Sequence, residues 1–243
     1  MKLSVIIPVF NEEKTISEIL RRVSEIKIPN VEKQIILVND GSTDSTESEI
    51  QNSSIRQAQD KIQNIKYIKH QKNQGKGAAV RTGIANATGD YIIIQDADLE
   101  YNPKDIERLV LPIKNNSAQV VYGTRLKRLP RFFKDEKTPR FLLHYMGNKF
   151  LSLLTSVLYG QWITDMETCY KLFPVKAVKH MDINAKGFEF EPEITSKLLK
   201  RGYKILEIPI STNPRGYDEG KKLNTFKDGL IALWSLLKYR FIN

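Results

Sequence analysis

Two aspartates one residue apart, Asp96 and Asp98, follow the apolar run Tyr91-Ile-Ile-Ile-Gln95. In an extended chain, residues i and i+2 point to the same side, so both carboxylates can emerge together where a buried strand ends. Paired hard oxygen ligands suit Mg²⁺ or Mn²⁺, which keep their other positions for water and substrate phosphate. The carboxyl end of a parallel strand is also where open α/β sheets bind ligands. The competing reading is a helix start, with Asp98 or Asn102 capping a helix that begins near Pro103.

Three further segments carry residues of the right types. Asp40-Gly-Ser-Thr-Asp44 follows a second apolar run. Gly41 permits a tight turn, and Ser42 or Thr43 can cap the next helix, but neither role needs Asp40. A carboxylate there can accept hydrogen bonds from a nucleobase or ribose. Pro8-Val-Phe10-Asn11-Glu12-Glu13 ends the first run, with Asn11 as a helix cap and the glutamates suited to a positive helix end. Asn73-Gln-Gly-Lys76-Gly77 precedes a helical pattern. It lacks P-loop spacing, yet glycines with a lysine at a helix start can meet a diphosphate.

The elements that must position these residues alternate. Leu3–Phe10, Gln34–Asn39, Ile65–His70, Tyr91–Gln95 and Gln119–Tyr122 read as strands, several of them nearly continuous apolar runs. Between them, Lys14–Ile26 places Ile16, Ile19, Leu20 and Val23 on one stripe, and Gly77–Ala87 and Pro103–Lys114 read as helices. Repeated β-α-β units predict a mostly parallel sheet with right-handed crossovers. The second half departs from this rhythm. Leu126–Lys137 reads as a basic loop, and Arg140–Tyr159, Glu191–Arg201 and Thr225–Phe241 as helices, with Gly202 just past the second. Lys204–Ile210 reads as a strand and Asn213–Lys222 as a basic, turn-rich loop.

Composition sets the bounds. The 243 residues are 41% hydrophobic and 27% charged, ordinary for a soluble globular chain. The lone cysteine, Cys169, excludes an internal disulfide and reads as core filler. No signal peptide or run of roughly 18–20 apolar residues is present, which predicts a cytoplasmic protein that does not cross a membrane. The net charge of +10 favours polyanionic partners. The chain lacks the aromatic patterns and motif spacings of nucleic-acid binders, so a substrate phosphate and an anionic membrane surface are the better candidates.

The stretches VIIPVFNEE, LVNDGSTDST, NQGKGAAVRTG, ATGDYIIIQDADLEY and VVYGTR, in this order, resemble family 2 glycosyltransferases of the GT-A fold. TDMETCYKLF, GFEFEPEI and PRGYDEGKKL look like the polyprenyl-phosphate, dolichol-phosphate mannose synthase-like branch. The resemblance covers nearly the whole chain. It implies one domain over residues 1–243: a nucleotide-sugar half to residue 125 and an acceptor half from 126. It implies a nucleoside pocket at Pro8, Phe10, Asn11, Glu12 and Asp40. It further implies a metal motif at Asp96-Ala97-Asp98, where Glu100 stands as a third ligand. Arg125, Arg140, Arg215 and Lys222 match basic positions that hold the donor diphosphate and the acceptor phosphate. Two positions depart from the pattern: Asn39 stands where an Asp is common, and His144 where a serine is common. Some relatives also carry C-terminal transmembrane helices, and this chain has none.

The activity so implied is transfer of a sugar, with inversion, from a GDP- or UDP-sugar. A divalent metal and Arg215 would offset charge on the leaving diphosphate. A polyprenyl phosphate acceptor is already ionised and needs no strong base; a hydroxyl acceptor does, and Asp165 is the matching candidate. Asp165 reads equally well as an aspartate fixing a turn or pairing with an arginine. A nucleotidyltransferase lacks its N-terminal loop here, and a non-catalytic nucleotide-sugar-binding partner is the remaining alternative. For membrane contact, the Arg131-Phe-Phe-Lys134 loop is favoured, whereas the apolar residues of the Arg140–Tyr159 and C-terminal helices are expected mostly to pack in the core.

Overall fold

The computed structural model describes residues 1–52, 65–126, 139–213 and 225–242. Its strands are β1 (Lys2–Val9), β2 (Glu32–Asn39), β3 (Ile65–Lys69), β4 (Tyr91–Ile94), β5 (Val120–Thr124), β6 (Lys171–Pro174) and β7 (Ile205–Pro209). Its helices are α1 (Ile16–Glu25), α2 (Thr46–Asn52), α3 (Lys76–Ala85), α4 (Asp105–Lys114), α5 (Pro139–Tyr159), α6 (Val175–Val178), α7 (Phe190–Lys200) and α8 (Thr225–Phe241). One sheet runs β3-β2-β1-β4-β6-β5-β7. All pairings are parallel except those of β6, which lies antiparallel between β4 and β5.

The expected mostly parallel sheet is present, and its apolar runs are buried as strands covered on both faces must be. Parallel register aligns Val9 with Asn39 and Ile6 with both Ile36 and Ile94. The carboxyl ends of β1, β2 and β4 therefore open on one edge. The α1 stripe of Ile16, Ile19, Leu20 and Val23 is buried, each side chain worth roughly 1.5–3 kcal/mol. Helix α3 lies close on the sheet because Gly83 has no side chain: a Cβ there would stand 2.4 Å from Ile6 Cγ2.

Helix α7 ends as its sequence suggests. Gly202 takes φ +79°, its N–H reaches Leu199 O (2.9 Å), and Tyr203 N–H reaches Leu198 O (3.1 Å). This is a Schellman closure.

Four readings are corrected. The sequence pattern missed β6: its four residues are too few to show a period, and Lys171 interrupts the apolar run. Strand β4 stops at Ile94, so Asp96 and Asp98 lie in the turn beyond it, with Leu99 left-handed at φ 62°. Ser42 and Thr43 do not cap α2; Asp44 Oδ1 accepts from Thr46 N–H instead (3.0 Å). The apolar residues of α5 and α8 do not all pack inward. Leu151, Ala232 and Leu236 are buried, while Phe150, Val157, Leu230, Trp234 and Phe241 are exposed.

The loop before α3 tests this packing. Gly75 holds φ 97° and ψ 158°, a region essentially restricted to glycine, and a Cβ would stand 2.2 Å from Lys186 O. Gly75→Ala should lower unfolding free energy by about 2 kcal/mol or more. Gly147→Ala, in α5 with nothing within 4 Å, should raise it slightly. Urea titration of both variants reads the two signs; equal effects would contradict the packing account.

Candidate active site

A cleft of about 390 Å³ opens at the carboxyl edge of the sheet. One end is formed by Pro8, Phe10, Glu12 and Asp40 with Asn73 and Gly75. Its wall is a pair of interlocked turns. Asn11, left-handed at φ 50°, receives Thr43 N–H on Oδ1 (2.8 Å), and its own N–H donates to Ser42 Oγ (3.0 Å). Glu12 N–H donates to Thr46 Oγ1 (2.8 Å). Asn11 thus holds the wall and does not line the cleft, nor does it cap α1, whose first turn closes on the Glu12 carbonyl.

Asp40 lines the cleft but is only 2% exposed. Its carboxylate pairs with His70 Nδ1 (2.6 Å) and accepts the N–H groups of Gln74 (3.1 Å) and Gly75 (2.8 Å). It therefore fastens the loop that carries Lys76. Asn39 explains its own departure from the aspartate pattern. Its Nδ2 donates to Glu47 Oε2 (2.7 Å), and an aspartate would set a second carboxylate against Glu47.

The middle of the cleft holds Asp96, Ala97, Asp98 and Glu100 together. Asp98 Oδ1 accepts Glu100 N–H (3.0 Å), which fixes the turn. Lys76, at the first position of α3, reaches across to Asp96 Oδ1 (3.0 Å) and Glu191 Oε1 (3.0 Å). Burial alone would lower its pKa, but Asp96 and Glu191 outweigh burial and raise it well above the ordinary lysine value. Cys169 Sγ lies 3.2 Å from Lys76 Nζ, and burial together with Asp96 pushes the thiol well up. It is almost fully buried yet borders the cleft, and its raised pKa makes it a poor nucleophile. Among the described residues no three His, Cys, Asp or Glu converge as a ready-made metal cage. One or two carboxylates with open positions are what Mg²⁺ or Mn²⁺ needs when substrate phosphates complete the shell, and Asp96 and Asp98 fit that donor set.

The far end is lined by Tyr101, Arg125, His144, Glu167, Phe188 and Glu191. Asp165 does not line it. It is fully buried and accepts from Arg125 three times: backbone N–H (2.8 Å), Nε (2.8 Å) and Nη2 (2.7 Å). Burial alone would raise its pKa, but Arg125 outweighs burial and holds the carboxyl below its ordinary value. Such a carboxylate is a weak base. Of its two open readings, the arginine pair is the one the geometry displays.

Glu167, two residues on, does line the cleft, and its Oε1 has no hydrogen-bond partner among the described residues. Burial and Glu191 push its carboxyl up to about 8. Nearby Lys171 donates to the carbonyls of Met166 (2.7 Å) and Thr168 (2.6 Å), and burial lowers its pKa. Glu167 and Glu191 stand in TDMETCYKLF and GFEFEPEI but were not singled out by sequence; an acid inside an apolar stretch was the available signal. Arg140 falls in the first turn of α5. Arg215, Lys222 and the Arg131–Lys134 segment lie outside the described residues.

The fold and cleft define an α/β enzyme that binds its ligand at the carboxyl ends of a mostly parallel sheet. The chain matches the Glycosyl transferase family 2 profile over residues 4–181. It is 31% identical to a UDP-N-acetylglucosamine–dolichyl-phosphate N-acetylglucosaminyltransferase of Methanococcus voltae, over 90% of this chain and 89% of that one. It is 28% identical to a dolichol-phosphate mannosyltransferase of Pyrococcus furiosus, over 98% of this chain but 64% of that longer protein. Glucosyl-3-phosphoglycerate synthase from Mycobacterium tuberculosis, solved with Mn²⁺, UDP and glucosyl-3-phosphoglycerate, superposes with a TM-score of 0.73 at 18% identity, over 100% of this chain and 81% of that one. The chain therefore belongs to glycosyltransferase family 2, in its polyprenyl-phosphate branch, with a GT-A fold. It is a glycosyltransferase.

Two variants test the far end. Asp165→Asn leaves the partly buried Arg125 guanidinium without its charge partner and should cost about 2 kcal/mol of stability by urea unfolding. A raised carboxyl pKa makes the folded state bind the proton more tightly, so stability falls as pH climbs from 4.5 to about 8. Glu167→Gln should flatten the melting temperature across that window; an unchanged slope would contradict the burial of Glu167.

Proposed function

We propose that the protein transfers a sugar from a UDP- or GDP-sugar to the phosphate of a polyprenyl phosphate, with inversion at the anomeric carbon. The observation that carries this reading is the Asp165–Arg125 pair. Asp165, the base candidate for a hydroxyl acceptor, lies buried behind the cleft wall and is tied to Arg125, which suits a nucleophile that needs no base. A phosphate acceptor arrives ionised, and the relatives named as dolichyl-phosphate transferases point the same way.

In this reading Pro8, Phe10 and Glu12 contact the nucleoside, while Asp40 holds the loop beneath it. Asp96 and Asp98, assisted by Glu100, hold Mg²⁺ or Mn²⁺. The metal, when bound, supplies a positive charge against the leaving diphosphate. The mycobacterial neighbour of the same fold was solved with Mn²⁺ and UDP, which supports this reading. Lys76 serves the donor diphosphate, a role the family resemblance also assigns to Arg215 and Lys222. Arg125 and Arg140 draw in the acceptor phosphate and offset its repulsion from the donor. In-line attack opposite the leaving group turns an α-linked donor into a β-linked product. The reaction sits at the cytoplasmic face of a membrane, where a lipid phosphate meets a water-soluble donor. A hydroxyl acceptor is the second reading; Glu167, which lines the cleft, would then be nearer to the chemistry than Asp165.

Incubation with a panel of UDP- and GDP-sugars, Mg²⁺ or Mn²⁺ and a short polyprenyl phosphate should yield chloroform-soluble sugar. Asp98→Ala should reduce the rate by roughly a hundredfold or more. Transfer to hydroxyl acceptors alone would overturn the reading.

A further inference from the structure

Helices α5 and α8 lie side by side, joined by Tyr159 O–H donating to the Leu236 carbonyl (2.9 Å). Their inner faces are buried at Leu151 on α5 and Leu236 on α8. Their outer faces are apolar as well. Met146, Phe150 and Val157 are 63%, 57% and 73% exposed, and Leu230, Trp234 and Phe241 are 67%, 66% and 81% exposed. Each trio is spaced by four and seven residues, which keeps it on one helix face. A helix that is apolar on both sides belongs where both sides are covered. Yet no helix among the described residues is long and apolar enough to cross a membrane.

We propose that the paired outer faces of α5 and α8 form the surface by which the protein lies on an anionic lipid bilayer, in the interfacial plane. Charge selects this occupant. Helix α8 carries Lys227, Lys238 and Arg240 against a single acid, Asp228, and Lys227 and Lys238 fall three or four residues from Leu230 and Trp234. A second copy packed on the same face by two-fold symmetry would bring these cations against each other. A leaflet of anionic headgroups complements them, while the aromatic and aliphatic side chains enter the acyl boundary. The same helix α5 supplies His144 to the cleft. A protein lying on this face therefore holds its cleft near headgroup level. This last point rests on the lipid-phosphate reading; the docking surface itself does not.

The test is flotation with vesicles of phosphatidylcholine, with and without phosphatidylglycerol, in the absence of donor and acceptor, so that its outcome is independent of transfer activity. The wild-type chain should float with the anionic vesicles and much less with the neutral ones. Leu230→Glu with Trp234→Glu should weaken that binding by roughly a hundredfold with an unchanged melting temperature. Phe150→Glu, on the other helix, supplies an independent variant with the same direction of effect. Failure of the wild-type chain to bind anionic vesicles, or binding unchanged in both variants, would overturn the proposal. So would a wild-type dimer by light scattering that these variants dissociate, because a second copy would then cover the face.

Discussion

One ammonium group ties the site together. Lys76 stands between Asp96, from the turn after β4, and Glu191, from the start of α7. It joins the two halves of the chain at the centre of the cleft. Around it the balance is acidic. Among the described residues, six carboxylates and the Glu167 carboxyl, whose pKa is pushed up to about 8, line the cleft against the permanent cations Lys76 and Arg125, and Arg125 is already paired with Asp165. Two like charges about 4 Å apart repel by roughly 4 kcal/mol at an effective dielectric near 20. The charges of the described residues alone disfavour a nucleoside diphosphate that enters without a divalent cation. In the proposed reading, a metal at Asp96 and Asp98 would favour donor binding as well as departure of the leaving group.

The topology explains why these charges meet. Parallel strands deliver their trailing loops to one edge, which brings the ends of β1, β2 and β4 together. Strand β6 runs the other way, so the loop leading into it arrives at that same edge. Glu167 and Cys169 come before β6 and line the cleft for this reason, with Asp165 buried behind Arg125. A fully parallel sheet would have carried them to the opposite side. Helix α7 then closes the cleft with Glu191, and the Ala185–Gly187 backbone packs on Gly75 and Gly77. The glycines beside Lys76 are required by this contact.

Much of the frame was legible in the sequence because buried parallel strands and the α1 stripe write their burial directly as apolar runs and period. Pro8, Phe10, Glu12, Asp40, Asp96 and Asp98 do line one cleft, as their places at strand ends imply. The features that escaped depend on partners distant in sequence. Asn11 and Asp40 were read as ligand contacts, but residues some thirty positions away engage their side chains. Asp165 and Glu167 are both acids in one short motif; only the direction of β6 and the position of Arg125 decide which faces the cleft. Sequence period also cannot say whether an apolar helix face meets a core or a bilayer, so the outer surfaces of α5 and α8 were misread as packing.

The central claim is that the acidic cleft accepts a nucleoside diphosphate only with a divalent cation. Isothermal calorimetry of UDP and GDP against the protein, in Mn²⁺ and again in EDTA, measures this directly. The account predicts saturable binding of at least one nucleotide in Mn²⁺, weakened by roughly a hundredfold or more when the metal is chelated. Equal affinity in Mn²⁺ and EDTA would contradict it.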